Sequence, residues 1–393
     1  MMRDSWIWKQ ARSFLLVAPL ALFLVLFFVA PLATMMKSAV SDPVASRALP
    51  TVASALKGWD RASAPPADAQ KAFAADIRGI RDDELFGDLV RRLNSAKSGF
   101  RTLMTKTRSA VTADESVSDL SAIDSRWSDP AFWIAIQDAA SSPITDRNLL
   151  AAVDLTRDAS GSIANAPEGT SANRDTLIRT LTTAATVTIC CILLGLPFAM
   201  VAASVTGWVR QLLLGAVLLP LWTSLLVRTA AWFILLQDNG LINASLQAIG
   251  LTSSPIPLIF NRVGVVIAMT HVLLPFMVLP IFSVLIGIPK NLMPAAASLG
   301  ANPIRAFSRV LLPLSLRGVV SGSLLVFMSA LGYYITPALI GGAKDQMISS
   351  VIAYYATGAA NWGMAGALGL VLLLATILLY VVYLRLSSED ARA

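Results

Sequence analysis

Six apolar stretches, each long enough to cross a bilayer, constrain this chain more than any other feature. They lie near residues 14–35, 177–203, 211–236, 263–287, 318–340 and 364–386, and a helix needs roughly 20 apolar residues to traverse the hydrocarbon core. No water is available there, so the backbone must satisfy itself within each run. Runs rich in Leu, Val, Ala and Ile do so as helices that tolerate occasional Pro and Gly. The expected fold class is an all-α polytopic membrane protein with six transmembrane helices and a large, mainly helical insert after the first. Composition supports this: 55% of residues are hydrophobic and 14% charged, against about 25% charged in an average soluble domain. Cys190 and Cys191 are adjacent within one apolar run, where a disulfide between neighbours would be strained.

The formal net charge of +7 invites a nucleic-acid reading, but its distribution argues against one. Residues 37–175 carry 17 Lys/Arg and 19 Asp/Glu, whereas the remainder carries 14 and 5. The excess sits mostly on short segments between apolar runs, the pattern of cytoplasmic membrane loops. With six spans, Arg3, Lys9, Arg12, Arg210, Lys290, Arg305, Arg309, Arg317, Arg385 and Arg392 fall on one side. The short loops of the other side hold only Arg262 and Lys344. Both termini are therefore expected on the cytoplasmic side of the membrane. Four parts follow: a cytoplasmic tail and first helix over 1–36, an extracytoplasmic (periplasmic) helical insert over 37–175, a five-helix core over 176–386, and a cytoplasmic tail over 387–393. Residues 1–36 have the basic start of a signal peptide. The run Phe14 to Pro31 exceeds the ~7–15 residues of a cleaved apolar region, which favours a retained anchor.

Within the insert, Phe73, Ile77 and Ile80, then Phe86, Leu89, Val90 and Leu93, recur at helical spacing. Asp129-Pro130 reads as the cap and first-turn proline of a helix running to about Ala140, and Thr145 as the cap of another ending near Gly161. Patches of Ser, Ala, Pro and Gly near 62–69 and 159–173 read as loops. The segment has no metal, nucleotide or catalytic motif. Its expected role is docking or a structural cap, with ligand sensing as the alternative.

The most informative loop, 287–317, lies between the fourth and fifth spans. Pro294 suits the first turn of a short helix and Gly300 the left-handed position that ends it. Asn302 then caps a second helix with Pro303 at its first position. Ile304, Phe307, Val310 and Leu311 give that helix an apolar face, and Pro313 is expected to end or kink it. The product is a helix–Gly–helix elbow presenting Arg305 and Arg309 outward. A short helix seated in a partner's cleft moves as a lever, whereas a floppy loop absorbs displacement; the other reading is an ordinary amphipathic connector.

This segment resembles the EAA loop of binding-protein-dependent ABC importer permeases. Ala295, Ala296, Gly300, Ala301, Phe307, Val310, Leu312 and Pro313 fall in register, Gly318 follows, and the family's Glu falls on Pro294. Residues 224–232, 239–243, 274–280 and 336–342 are similar to the spermidine/putrescine-type branch. The resemblance covers about 176–386 and implies a type I importer fold, with no cofactor in this chain. ATP and Mg would be bound by a dimer of a separate ATPase gripping the elbow; the chain itself has no GxxxxGK[ST] phosphate loop with which to be its own ATPase. It further implies a soluble solute-binding protein, a second permease that is a different chain, and alternating access between two faces.

Substrate-path candidates are few. Arg228 lies within the third span, where a cation costs roughly 2.5–3.5 kcal/mol at mid-bilayer and less near the interface. It either snorkels or bonds structurally, or it lines a solute path with Thr229. His271 is the only histidine and reads as an interhelical bond or a path residue; one residue makes no metal site. Tyr333, Tyr334 and Thr336 sit near the outer end of the fifth span. Residues 239–251 read as a short amphipathic helix lying flat at the outer surface. The spans contain no Asp or Glu, so Arg228 favours an anionic or zwitterionic solute, and the classes left open are polyamine, opine, amino-acid-like and organic anion. Rival readings are an ion-driven secondary transporter, which would place acids at midplane, a receptor with a periplasmic sensor domain, and an intramembrane enzyme, for which no HExxH or paired carboxylates appear.

Overall fold

The computed structural model describes residues 16–61, 63–114, 119–158, 162–167, 169 and 172–389. Expectations resting on Arg3, Lys9, Arg12 and Arg392, and on residues 62, 159–161, 168, 170 and 171 of the two loop patches, lie outside that set. Helix dominates. Among the described residues, five helices are long and apolar enough to cross a membrane, and a sixth span exists if one bent pair is counted as a single crossing. Contacts divide the chain into two units, Met1–Leu150 with Trp362–Ala367, and Ala151–Asn361 with Leu368–Ala393. This division falls earlier than the sequence boundary at 175.

In the first unit, α1 (Leu16–Val40) includes a π-helical stretch at Val25–Val29. Every residue from Leu16 to Thr34 is exposed. Such an unbroken apolar cylinder is stable only with lipid or protein around it. The insert folds around aromatic rings from Ala67–Gly79, Phe100–Ala113 and Pro130–Ala140. Phe73 stands 4.9 Å from Trp127 and 5.7 Å from Trp133, and Phe100 lies 4.9 Å from Phe132. Both indole N–H groups are satisfied, Trp127 donating to Thr107 Oγ1 (2.9 Å) and Trp133 to the Trp127 carbonyl (2.8 Å), as buried Trp requires. Asp129 caps Pro130–Ala140 as the sequence implies, accepting from Ala131 N–H at 2.9 Å. Arg126 grips Asp124 through two nitrogens and, with its own backbone N–H, holds that carboxyl well below the usual carboxylate range. The helix after Thr145 is shorter than its periodicity suggests: it covers Arg147–Ala152. A two-stranded antiparallel hairpin, β1 (Leu155–Arg157) and β2 (Ile163–Asn165), replaces the rest. The patch near 62–69 likewise gives way to helix at Ala67.

The second unit is built on α2 (Asn173–Ser204), α5 (Arg262–Gly287) and α7 (Pro303–Gly332). Asp154, in the left-handed region at φ 56, caps α2 by accepting from the Asn173 and Arg174 N–H groups, both at 2.9 Å. Three glycines bring the helices together around Met277 and Ile281. A Cβ at Gly195 would lie 2.8 Å from Met277 Cγ, one at Gly322 2.9 Å from its Sδ, and one at Gly318 2.8 Å from Ile281 Cα. This is the small-residue contact by which membrane helices pack.

Two expected spans are interrupted. The third is not continuous over 211–236: α3 (Gly207–Leu218) passes through a 3-10 turn at Leu219–Trp222 into α4 (Leu225–Leu235), with a bend of 101°. The break follows Pro220, where the Thr223 hydroxyl bonds the Pro220 carbonyl and Ser224 takes extended backbone (ψ 142). The fifth span stops at Gly332 rather than 340. Tyr333 and Tyr334 leave helical geometry before the short α8 (Ile335–Ile340). Conversely, Pro313 does not end its helix. A π-helical segment at Phe307–Leu311 precedes it, and the looser winding absorbs the missing N–H and ring bulk. The remaining span, α9, covers Trp362–Glu389.

Candidate functional site

Local chemistry sets the elbow. α6 (Leu292–Ser298) ends on Gly300 at φ +84, a region that penalises any residue with a Cβ. The Gly300 N–H donates to the Ala297 carbonyl (2.9 Å) and the Ala301 N–H to that of Ala296 (3.0 Å), closing the helix as a Schellman motif does. Asn302 Oδ1 then accepts from the Arg305 N–H at 2.7 Å, and Pro303 opens α7. Ala306 is buried and Phe307, Val310 and Leu311 are half-buried, so the inner face is largely as expected. Ile304 departs from it: it is 78% exposed and joins Leu299, 90% exposed, in an apolar tip flanked by the exposed Arg305 and Arg309. Pro294, Ala295 and Asn302 are exposed too, and Ala296 and Ala301 half-buried.

A second constellation forms where the broken helices meet. Thr229 on α4 and Thr336 on α8, each 1% exposed, share a hydroxyl–hydroxyl bond of 3.2 Å. Trp232, one turn along α4, donates its indole N–H to His271 Nδ1 on α5 at 3.1 Å, with the rings edge to face at 5.3 Å. That bond needs an unprotonated Nδ1, so a neutral imidazole carries its proton on Nε2. Arg228 acts electrostatically on both His271 and Tyr333. Its Nε and Nη1 are buried without a hydrogen-bond partner among the described residues, although a buried cation ordinarily demands one. Tyr333 and Tyr334 offer backbone rather than hydroxyls: their carbonyls accept from the Ser349 and Ser350 hydroxyls at 2.6 and 3.2 Å.

Arg228, Thr229, His271, Tyr333 and Thr336 are thus gathered around one break in the helical packing, while Tyr334 is 45% exposed. Trp232, Ser349 and Ser350 complete the arrangement. Their roles arise from contacts across 16 to 39 residues, which periodicity cannot reveal. The chemistry available is hydrogen bonding and charge recognition, with no nucleophile–base pair. Among the described residues, no group of three His, Cys, Asp or Glu could hold a metal. The expected flat helix is present as Leu241–Ala248, but Asn243 is buried in it and bonds the backbone of Ile256 through both side-chain atoms.

Residues 195–388 match the family described as binding-protein-dependent transport system inner membrane component. The spermidine/putrescine transport system permease protein PotB of Haemophilus influenzae is 38% identical over 198 residues, 50% of this chain and 69% of that protein. PotB of Escherichia coli is 35% identical over 213 residues, 54% of this chain and 78% of its own length. The molybdenum transport system permease protein ModB of Mycobacterium bovis is 34% identical over 176 residues, 45% and 65%. Among solved structures, a bacterial alginate ABC transporter in complex with an alginate-bound periplasmic protein matches at a TM-score of 0.44 and 18% identity, covering 55% of this chain and 79% of that one. The elbow lies inside the family match; residues 37–175 lie outside it.

Proposed function

The chain belongs to the inner membrane component family of binding-protein-dependent transport systems, and we propose that it forms the translocation path of an ATP-driven importer together with a second, different permease chain. It is a transport subunit rather than an enzyme, and such systems draw on a separate ATPase and a solute-binding protein. The proposal extends this to the working parts. The elbow is the ATPase grip, and the cluster around Arg228 faces the solute.

The observation that carries this reading is the continuity of α7. From Pro303 to Gly332 it is one helix of 30 residues, about 45 Å at 1.5 Å per residue. One end is the elbow; the other is Tyr333, beside the Arg228 cluster. A displacement of the rigid elbow is therefore delivered to the solute-facing break without being lost in a loop. Alternating access follows when two ATPase subunits close on ATP, binding Mg and nucleotide themselves, and draw two elbows together. Lys290, Arg305, Arg309 and Arg317 cluster at the elbow end, against Arg262 and Lys344 at the opposite end. That bias supports a cytoplasmic elbow, cytoplasmic termini and an extracytoplasmic insert. The solute is a small polar molecule. The names of the relatives span spermidine/putrescine and molybdenum transport, and Arg228 supports a solute with an anionic group.

Purification of the tagged chain with its neighbours should bring down an ATP-binding subunit. Gly300→Arg, which forces a side chain into the left-handed region, should leave ATP hydrolysis in the assembled complex while uptake is lost. Solute transport by the chain alone in ATP-free vesicles would sink the importer reading.

A further inference from the structure

We propose that the cavity between α2, α7 and α9 seats one acyl chain of an anionic phospholipid, with Arg317 holding the phosphate at its elbow end. The cavity encloses ≈ 320 Å³ and is walled by Ala185 and Ile189 of α2, Leu324, Phe327 and Met328 of α7, and Leu379 of α9. Three hydroxyls also line it, and each is turned back on the protein. Thr188 bonds the Ala184 carbonyl at 2.8 Å, Ser323 that of Val319 at 2.7 Å, and Tyr383 that of Val320 at 2.7 Å. An occupant therefore meets hydrocarbon, and a polar solute would lose its hydration there without gaining a partner.

The dimensions fit a chain lying along the membrane normal. On α7 the lining extends as far as Met328, and Arg317 lies eleven residues nearer the elbow, about 16 Å at 1.5 Å per residue. Half of a hydrocarbon core of ≈ 30 Å is about 15 Å. A phospholipid of the leaflet on the elbow side thus reaches from a headgroup beside Arg317 to a chain end beside Met328.

Charge selects the headgroup. Arg317, Val320, Leu324 and Phe327 succeed one another at helical spacing, so Arg317 belongs to the same face of α7 as the cavity wall. It is exposed and has no ion pair among the described residues. Its long stem can lie along apolar surface while the charge stays at headgroup level, where a phosphate offers paired acceptors to a guanidinium. An arginine that only sets topology needs no apolar slot aligned with it. A helix of a second protein could fill the slot, but its apolar side chains would give Arg317 no counter-charge. A phospholipid supplies chain and phosphate together.

Native mass spectrometry of the delipidated full chain in neutral detergent tests this with dioleoyl-phosphatidylglycerol and dioleoyl-phosphatidylcholine. The two share their chains, but in the second the choline ammonium offsets the phosphate. One phosphatidylglycerol should be retained in preference to phosphatidylcholine, and Arg317→Gln should cut that preference about fivefold, one cation's share of the attraction to anionic lipid. Arg385→Gln should leave it unchanged, since residue 385 lies about 200° round α9 from Tyr383. Ala185→Leu and Ile189→Phe, which narrow the slot, should each weaken both lipids about tenfold, as the loss of roughly two buried methylenes does. An unchanged unfolding temperature keeps that effect distinct from misfolding. Dihexanoyl-phosphatidylglycerol, with the same headgroup on short chains, should bind far more weakly, which separates a lipid from phosphate alone. Equal retention of the two dioleoyl lipids, or a preference that survives Arg317→Gln or falls equally in Arg385→Gln, overturns the site. So does binding indifferent to both narrowing variants, or loss of the lipid when a second permease chain copurifies.

Discussion

At the scale of single residues, Arg228 is the least balanced group in the membrane unit. Two of its nitrogens are buried without hydrogen-bond partners among the described residues, and a guanidinium in such a setting costs roughly 2.5–3.5 kcal/mol unless a partner or water-filled cavity compensates. In the proposed reading the solute or the second permease completes it. Arg228→Met should leave the detergent-solubilised chain as stable as the parent, or raise its unfolding temperature slightly. The same variant should lose solute-stimulated ATP hydrolysis in the complex. Destabilisation by about 3 kcal/mol or more, the cost of breaking a satisfied buried pair, would make Arg228 structural instead. What sequence reveals at this scale follows the range of the chemistry. Gly300, Asn302 and Asp129 could be assigned because a cap or left-handed turn is decided within four residues. The Trp232–His271 bond spans 39 residues, and no local pattern marks it.

At the scale of elements, the same rule separates the readable spans from the broken ones. Hydropathy locates α2 and α5 closely because both are continuous. It runs through the break at Thr223-Ser224 and past Tyr333-Tyr334, because residues on either side of each break are equally apolar. Pro313 misleads in the opposite sense: a proline that ends a helix in water is carried in α7 by a π-helical turn. The packing of these elements rests on Gly195, Gly318 and Gly322 closing onto Met277 and Ile281. Gly322→Leu should separate α5 from α7, since backbone and side-chain atoms of Met277 occupy the space. The expected cost is about 1–3 kcal/mol, typical of overpacking, read as a lower unfolding temperature. A Cβ at Gly215 meets nothing within 4 Å, and Gly215→Leu should change stability little. Equal effects of the two would dismiss the close contact as the source of α5–α7 cohesion.

At the scale of the whole molecule, the insert is separable by design of its chain path. Ser41 and Ile144 form an antiparallel bridge, with the Asp42 N–H donating to the Pro143 carbonyl at 2.7 Å and the Thr145 N–H to that of Val40 at 2.9 Å. The chain thus leaves and returns at one point. Everything in between closes on a core drawn from residues 45–140, and that stretch lies outside the family match at 195–388. A domain that begins and ends at paired residues and owns its core can be removed without opening another core. Replacing residues 43–142 by a short Gly-Ser linker should therefore leave a chain that inserts in the membrane, copurifies with its ATPase and supports ATP-driven uptake. The excised segment should fold alone with one cooperative thermal transition, and Trp133→Ala should weaken it by about 3–5 kcal/mol. If the shortened chain assembles but uptake fails, the insert participates in solute delivery. If it does not reach the membrane at all, the insert is part of the permease fold rather than an addition to it.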